Sequence, residues 1–224
     1  MNMILYDFDV FAPNPWTVRI FAAEKGIALA RHSIDLLARE NRREPFLSKV
    51  NPMGELPALQ IDQGRVITEV TAICEYLEEL QPLPALIGQT SWERAQTRMW
   101  VRRIDQRIAE PMGEGFSMDE GRQFFESDYR KSGVLTKSML PVDSAAALKD
   151  KSRRNLLWLN GMMKEHLWIC GDRFSLADIF LYCFLQFGEN HGQPIPPECD
   201  WVKSFFSRMK ARPTAWQGEP GSLE

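Results

Sequence analysis

The sequence contains no stretch that approaches the roughly 20 apolar residues needed for a membrane-spanning helix. Its beginning, Met1–Asp7, has no basic segment and is too acidic for a transit peptide, so we expect a cytoplasmic protein. The net charge is −3, and no basic excess favours nucleic acid or an anionic membrane as a partner. Internal repeats and low-complexity tracts are also absent from the sequence.

Cysteine and histidine are scarce, and neither is spaced for metal binding. The cysteines form no CxxC pair and mostly have apolar neighbours, which predicts buried, reduced thiols rather than disulfides or zinc ligands. They are Cys74, Cys170, Cys183 and Cys199. The histidines are His32, His166 and His191. GxGxxG, Walker and nucleophile-elbow patterns are missing as well. We therefore predict no metal and no nucleotide cofactor.

The composition is that of an ordinary globular protein, with 44% hydrophobic and 25% charged residues in 224. A proline-punctuated connector, Gln81–Gly88, is the best candidate for a domain boundary. We predict a first domain over residues 1–81, a linker over 82–90 and a helical domain over 91–224.

The most informative stretch begins at Asn51–Gly54, where proline fixes φ and glycine permits positive φ, so that a loop is favoured. Leu56 and Pro57 then open a short apolar strand. A proline at this entrance cannot donate to the ladder, so the N–H and C=O of Leu56 should point outward. We also predict a cis Leu56–Pro57 bond, which would turn the Leu56 backbone sideways as an edge. Such an edge can pair with an extended peptide. Asp62–Arg65 has the turn chemistry of a hairpin, and Thr68 precedes a helix.

The residues before this stretch predict a strand, a helix and a second strand. Ile4–Tyr6 is the first strand. Asn14 is a plausible helix N-cap, with Pro15 at the first helical position and Gly26 after the last turn. Residues 28–35 form the second strand. With the hairpin and its flanking helices, the predicted order is β-α-β-α-β-β-α.

Beyond the connector the pattern is helical. We predict that Ser91 caps a helix and that Pro111 and Gly113 break it, and we expect an irregular excursion over Ser132–Ser144. Ser175 and Asp178, three residues apart before an apolar run, form a capping box. Predicted helices cover residues 91–109, 120–131, 145–168, 175–187 and 201–212.

Together these motifs resemble the glutathione transferases, in their order and spacing and over essentially the whole chain. The residues that carry the resemblance are Asn51–Leu59, Glu69–Ile73, Ala12–Ile20, Ala23–Ile27 and Gly171–Asp178. The resemblance implies an α+β protein, in which an N-terminal thioredoxin-like β-α-β-α-β-β-α domain precedes an all-α helical bundle. It also implies glutathione as co-substrate, a role in detoxification and a homodimer.

In that family, glutathione lies across the open edge of the first domain. Here the cysteinyl backbone would pair with Leu56, and Glu69, at the start of the third helix, would receive the ammonium group. Val70 stands where the family has serine. In the alternative interpretation, Glu69 binds no ligand and its negative charge only complements the dipole of the helix. Asn41 matches a position facing the glycine carboxylate, with Arg42 and Arg43 as adjacent alternatives. The implied glutathione-binding residues are Ala12, Asn14, Asn41, Leu56, Pro57, Glu69 and Val70.

The usual thiol-activating residues of the family are missing. Ala12 stands at the serine position and Pro15 at the cysteine position, and neither side chain activates a thiol. Asn14, Ser117 and Tyr6 are the candidate catalytic residues that remain. Each has a plainer alternative: a helix cap for Asn14, a core or interface aromatic for Tyr6 and no ligand contact for Ser117.

The resemblance also implies an apolar pocket for a hydrophobic electrophile. Its predicted residues are Trp16, Trp100, Met112 and Phe116. Trp100 as a core residue is the alternative. The leading prediction is an enzyme that conjugates the glutathione thiolate to hydrophobic electrophiles, and the alternative is a glutathione-binding, non-catalytic or structural member of the same fold. A thiol reductase is disfavoured because it needs a cysteine where Pro15 stands.

Overall fold

The computed structural model describes residues 3–121 and 143–215 of the chain. These residues fall into two compact units. The first ends at Arg94 and also includes the segment that begins at Arg212, and the second is Ala95–Ala211. The predicted segment 120–131 and the predicted excursion over 132–144 lie almost entirely outside the described residues. The predicted domain limits stay a prediction.

The first unit contains the predicted β-α-β-α-β-β-α order. Its elements are β1 (Ile4–Asp7), α1 (Pro13–Glu24), β2 (Ala30–Ser33), α2 (Phe46–Lys49), β3 (Ala58–Gln60), β4 (Val66–Thr68) and α3 (Val70–Leu80). Within the described residues the strands form one sheet in the order β2-β1-β3-β4, with β1 parallel to β2 and antiparallel to β3. The thioredoxin-like architecture is therefore confirmed.

Helices α1 and α3 bury apolar side chains in this unit. Val18 and Phe21 of α1 and Ile73 and Leu77 of α3 have no measurable exposure. Apolar periodicity predicts a buried face of α3 made of Ala72, Ile73, Tyr76, Leu77 and Leu80. This prediction is partly wrong, because Ala72 and Leu80 are exposed while Cys74 and Glu78 are buried. The buried face of α3 therefore contains one carboxylate, that of Glu78, among apolar side chains.

Glu78 is buried because it forms an ion pair with Lys25, the residue that ends α1. The Lys25 Nζ atom lies 2.6 Å from Glu78 Oε2 and donates a second hydrogen bond of 2.7 Å to the Pro84 carbonyl. Glu78 also accepts the backbone N–H of Ile87 at 2.9 Å and that of Leu86 at 3.2 Å. This network fixes the proline-rich connector to α1 and α3.

The second unit is helical. Helix α4 (Ser91–Ile104), which begins in the first unit, leads through a π-helical segment (Asp105–Ala109) directly into α5 (Glu110–Met118). The later helices are α6 (Asp143–Met162), α7 (Leu176–Asn190) and α8 (Asp200–Lys210). The Ser175–Asp178 capping box is confirmed. All four cysteines of the chain are buried, as expected.

The predicted break at Pro111 is wrong, because the helix continues through it to Met118. Proline lacks an N–H, and its ring crowds the carbonyl four residues earlier in a regular α-helix. The wider π turn immediately before Pro111 relieves that conflict. Ser152, which is almost fully buried, donates its hydroxyl to the Ile108 carbonyl at 3.0 Å and satisfies an acceptor within the irregular turn.

No helix among the described residues is both long enough and apolar enough to cross a membrane.

Candidate functional site

The Leu56–Pro57 peptide bond is cis, as predicted. Strand β3 begins only at Ala58, which pairs with Tyr6 on one side and Thr68 on the other, so Leu56 lies just beyond the end of the ladder. Within residues 3–121 and 143–215, neither the N–H nor the carbonyl of Leu56 has a hydrogen-bond partner. A half-buried peptide group with both polar atoms unused can pair with another extended chain.

The loop before Leu56 is held by asparagine side chains. Asn51, which is buried, donates from Nδ2 to the Glu55 carbonyl at 2.9 Å and accepts the Met53 N–H at 3.0 Å. Asn41 donates from Nδ2 to the Gly54 carbonyl at 2.7 Å. One N–H of the Asn41 amide is therefore committed to the loop, and direct contact with a glycine carboxylate stays a prediction.

Gly54 is required at its position in this loop. Its φ is +64°, and a Cβ atom there would lie 2.7 Å from Nη1 of Arg42 and 2.8 Å from the Asn41 carbonyl. Arg42 donates to the Met53 carbonyl at 2.6 Å. The loop is thus held against the short segment that contains Asn41 and Arg42.

Glu69 has an unusual backbone conformation. It precedes α3 with φ 72° and ψ 127°, a combination that side-chain-bearing residues rarely adopt. Its carboxylate is exposed, while Val70 is buried. The first N–H groups of α3 have no acceptor inside the helix, so this end favours an anionic group beside the Glu69 carboxylate. Strain of this kind is often found at binding sites.

The start of α1 differs from the prediction. The N-cap is Ala12, Pro13 is the first helical residue, and Asn14 is therefore inside the helix rather than its cap. Both Pro13 and Pro15 lack an N–H. Among the first three residues of α1, only Asn14 therefore has a backbone N–H. The side chain of Asn14 is partly exposed.

The hydroxyl groups of the other two candidate catalytic residues, Tyr6 and Ser117, already form hydrogen bonds within the protein. Tyr6 donates to Gln60 Oε1 at 2.8 Å, and its ring packs against His32 at a centroid distance of 5.1 Å. Ser117, in the second unit, donates to the Gly113 carbonyl one turn earlier in α5 at 2.8 Å. Their roles as catalytic groups stay predictions, since both oxygens can still accept hydrogen bonds.

The predicted electrophile-pocket residues divide between the two units. Trp16 is half-buried in the first. Trp100, Met112 and Phe116 are buried in the second, where Met112 also lines a cleft of about 390 Å³ between α6 and the segment after α7. A shared pocket therefore stays a prediction. No group of three or more potential metal ligands occurs among the described residues.

The prediction missed two buried charged clusters in the first unit. One is the Lys25–Glu78 pair, and the other surrounds Asp7 at the end of β1. Asp7 has no exposure, and Arg31 of the neighbouring strand donates to it at 2.8 Å. A charged residue inside an otherwise apolar helix face or strand end is the sequence signal for such a pair, but the signal does not identify the partner.

Comparison with known proteins extends these observations. Residues 11–80 match the family model of the glutathione S-transferase N-terminal domain, and residues 140–213 match that of the C-terminal domain. Glutathione S-transferase 2 of Saccharomyces cerevisiae is 28% identical, over 95% of this chain and 88% of its own. A maleylacetoacetate isomerase of Pseudomonas aeruginosa is 39% identical, over 80% of this chain and 78% of its own. A solved glutathione S-transferase domain-containing protein of Marinobacter aquaeolei superposes with a TM-score of 0.84 at 29% identity, over 95% of this chain and 100% of that one.

Proposed function

This chain belongs to the glutathione transferase family, and we propose that it binds glutathione and transfers its thiolate to a hydrophobic electrophile. The observation that carries the proposal is the unused peptide group of Leu56 beside the cis proline. A cysteinyl backbone in an extended conformation matches that group by strand addition. The thiol then lies close to the start of α1.

The two ends of the tripeptide have complementary partners. The exposed Glu69 carboxylate receives the ammonium group of the γ-glutamyl residue. The carboxylate of the same residue accepts hydrogen bonds from the N-terminal N–H groups of α3. Arg42, beside the loop, supplies a positive charge near the glycine carboxylate.

Activation of the thiol depends on the start of α1. A free thiol with a pKa near ~8.5 is mostly protonated at neutral pH, so the site must favour the thiolate. With Ala12 and the two prolines unable to donate, the amide side chain and the backbone N–H of Asn14 stabilise the anion. The thiolate sulfur then bonds to the electrophilic carbon. With an aryl halide, the halide departs with its electron pair and the thiol proton passes to solvent. With an isothiocyanate, the electron pair of the C=N bond moves to nitrogen, which takes up a proton.

Turnover and binding assays on the purified protein test this proposal. We expect glutathione to raise the melting temperature, and we expect glutathione to be consumed in the presence of an activated aryl halide or an isothiocyanate. Binding without turnover on a broad panel of electrophiles would favour a non-catalytic, glutathione-binding member of the fold. Absence of both would refute the proposal.

A second candidate reaction is glutathione-dependent isomerisation, which the 39% identity to the Pseudomonas isomerase favours. An isomerase uses glutathione without consuming it, so the thiol concentration stays constant while the substrate changes. Measuring both in the same reaction separates the two candidates. A homodimer in the cytoplasm stays a prediction of the family resemblance, and sedimentation analysis tests the dimer.

A further inference from the structure

Trp16 is held by a cation on its ring face. It lies at the end of the first turn of α1, directly after Ala12–Pro15, and its backbone N–H donates to the Ala12 carbonyl at 3.1 Å. The guanidinium carbon of Arg19 lies 3.7 Å from the centroid of the indole ring, and the Phe11 ring lies 5.5 Å away. A cation at this distance favours one orientation of the ring.

Arg19 is in turn held by the buried carboxylate of Asp7. Its Nη1 atom lies 3.6 Å from Asp7 Oδ2, and Nε of Arg31 lies 2.8 Å from the same oxygen. A carboxylate without solvent exposure needs such counter-charges. Arg31 also reaches the exposed Asp9 at 3.2 Å. Asp7 thus forms ion pairs with two arginines. Arg19 also stacks on Trp16, whereas Arg31 also forms an ion pair with Asp9.

We propose that Arg19 is a positioning residue that sets specificity for the electrophile, because it fixes the Trp16 ring beside the sulfur. This inference rests on the proposed function. The contacts proposed for the peptide part of glutathione are made by Leu56 and Glu69 on other elements. Loss of Arg19 should therefore weaken binding of the apolar group attached to sulfur and leave binding of the tripeptide unchanged.

Calorimetric titration with glutathione and with S-hexylglutathione tests the inference without requiring turnover. In Arg19→Met we expect the dissociation constant for S-hexylglutathione to rise roughly three- to tenfold, while that for glutathione stays within about twofold. Arg19→Lys, which keeps the cation but loses the flat guanidinium, should restore part of the affinity.

Arg31→Met is the matched control, since it removes the nearer partner of Asp7 without touching Trp16. It should lower the melting temperature and leave the ratio of the two dissociation constants unchanged. In a Trp16→Phe background, Arg19→Met should cause a clearly smaller change in that ratio than it causes in the wild type.

Three results would overturn the inference alone: an equal effect of Arg19→Met on both ligands, an equal change of the ratio in Arg31→Met, or a full effect of Arg19→Met in the Trp16→Phe background. If the wild-type protein bound neither ligand, the proposed function would fail, and this inference with it.

Discussion

At the scale of single residues, the proposed site depends on backbone groups more than on reactive side chains. Leu56 offers a peptide group, Asn14 an N–H and an amide, and Glu69 a carboxylate on a strained backbone. The sequence correctly predicted the cis bond between Leu56 and Pro57, and the role of Leu56 in binding stays a prediction. It did not predict the φ of +72° at Glu69, because a glutamate does not by itself favour that conformation.

The strain at Glu69 predicts opposite changes in stability and binding. Glu69→Gly relieves the positive φ and should raise the free energy of unfolding by up to about 1 kcal/mol, while glutathione binding weakens at least tenfold because the ammonium loses its partner. Glu69→Gln keeps the strained backbone, so it should weaken binding without the gain in stability. Denaturant unfolding and calorimetry measure the two effects. Unchanged affinity in both variants would mean that Glu69 serves only the helix dipole.

The proposed role of Asn14 in stabilising the thiolate predicts that its substitution weakens thiol activation. In Asn14→Ala the backbone N–H remains but the side-chain donor to the thiolate is lost, so we expect kcat/KM to fall roughly 10- to 100-fold. The ultraviolet absorbance of bound thiolate, followed against pH, should show a higher thiol pKa. Tyr6→Phe tests the other candidate in this unit: we expect kcat/KM to change by less than about twofold because the Tyr6 hydroxyl already donates to Gln60, and a larger loss would assign thiol activation to Tyr6 instead. Unaltered activity in Asn14→Ala would point to activation by the backbone alone.

At the scale of helices and strands, local patterns predicted where most elements occur but not always how they end. Periodicity and turn residues were sufficient for the hairpin and for the capping box of α7. The start of α1 was wrong by two residues because Pro13 and Pro15 are both acceptable in a first turn. The break at Pro111 was wrong because the π turn before it accommodates the proline, and a proline alone does not predict a π turn.

The ion pair between α1 and α3 predicts a large loss of stability from a single substitution. Lys25→Met leaves the Glu78 carboxylate buried without its cation, which should lower the free energy of unfolding by about 3–5 kcal/mol. Denaturant unfolding measures this loss. The double variant Lys25→Met with Glu78→Gln removes the unpaired carboxylate and keeps an acceptor for the Ile87 N–H, so it should be more stable than Lys25→Met alone. A loss below about 1 kcal/mol in Lys25→Met would contradict this account.

At the scale of the whole molecule, the first unit is discontinuous in sequence. The segment that begins at Arg212 belongs to it, and the Arg212 guanidinium holds both oxygens of Glu24 at 2.7 Å while Thr214 donates to the same carboxylate. Burial raises the pKa of Glu24, but the hydrogen bonds from Arg212 and Thr214 outweigh that effect and leave the pKa below its ordinary value. The contact joins the last residue of α1 to the segment that begins at Arg212, although the two are far apart in the sequence.

This contact predicts a stability difference that depends on pH. Because the folded pKa of Glu24 is lowered, the pair stabilises the protein above the ordinary value of 4.5, and the stabilisation is lost as pH falls through the folded pKa. Arg212→Met should therefore lower the free energy of unfolding by about 1 kcal/mol at neutral pH and by less in acid.

Thermal or denaturant unfolding across that pH range measures the difference. Lys203→Met, which removes an exposed ion pair with Asp200, is the control and should change the free energy of unfolding by less than about 0.5 kcal/mol. An Arg212→Met effect as small as the control, or one that grows in acid, would contradict the assignment.

The sequence alone determined the order of strands and helices in the first half, the cis proline beside Leu56 and the resemblance to glutathione transferases, because turn residues and apolar periodicity act over a few neighbouring positions. Tertiary structure alone decided that Lys25 meets Glu78 at a separation of 53 residues and that Asp7 holds Arg19 against Trp16. Such contacts depend on which elements pack together, and many partners for a buried charge are equally compatible with the sequence.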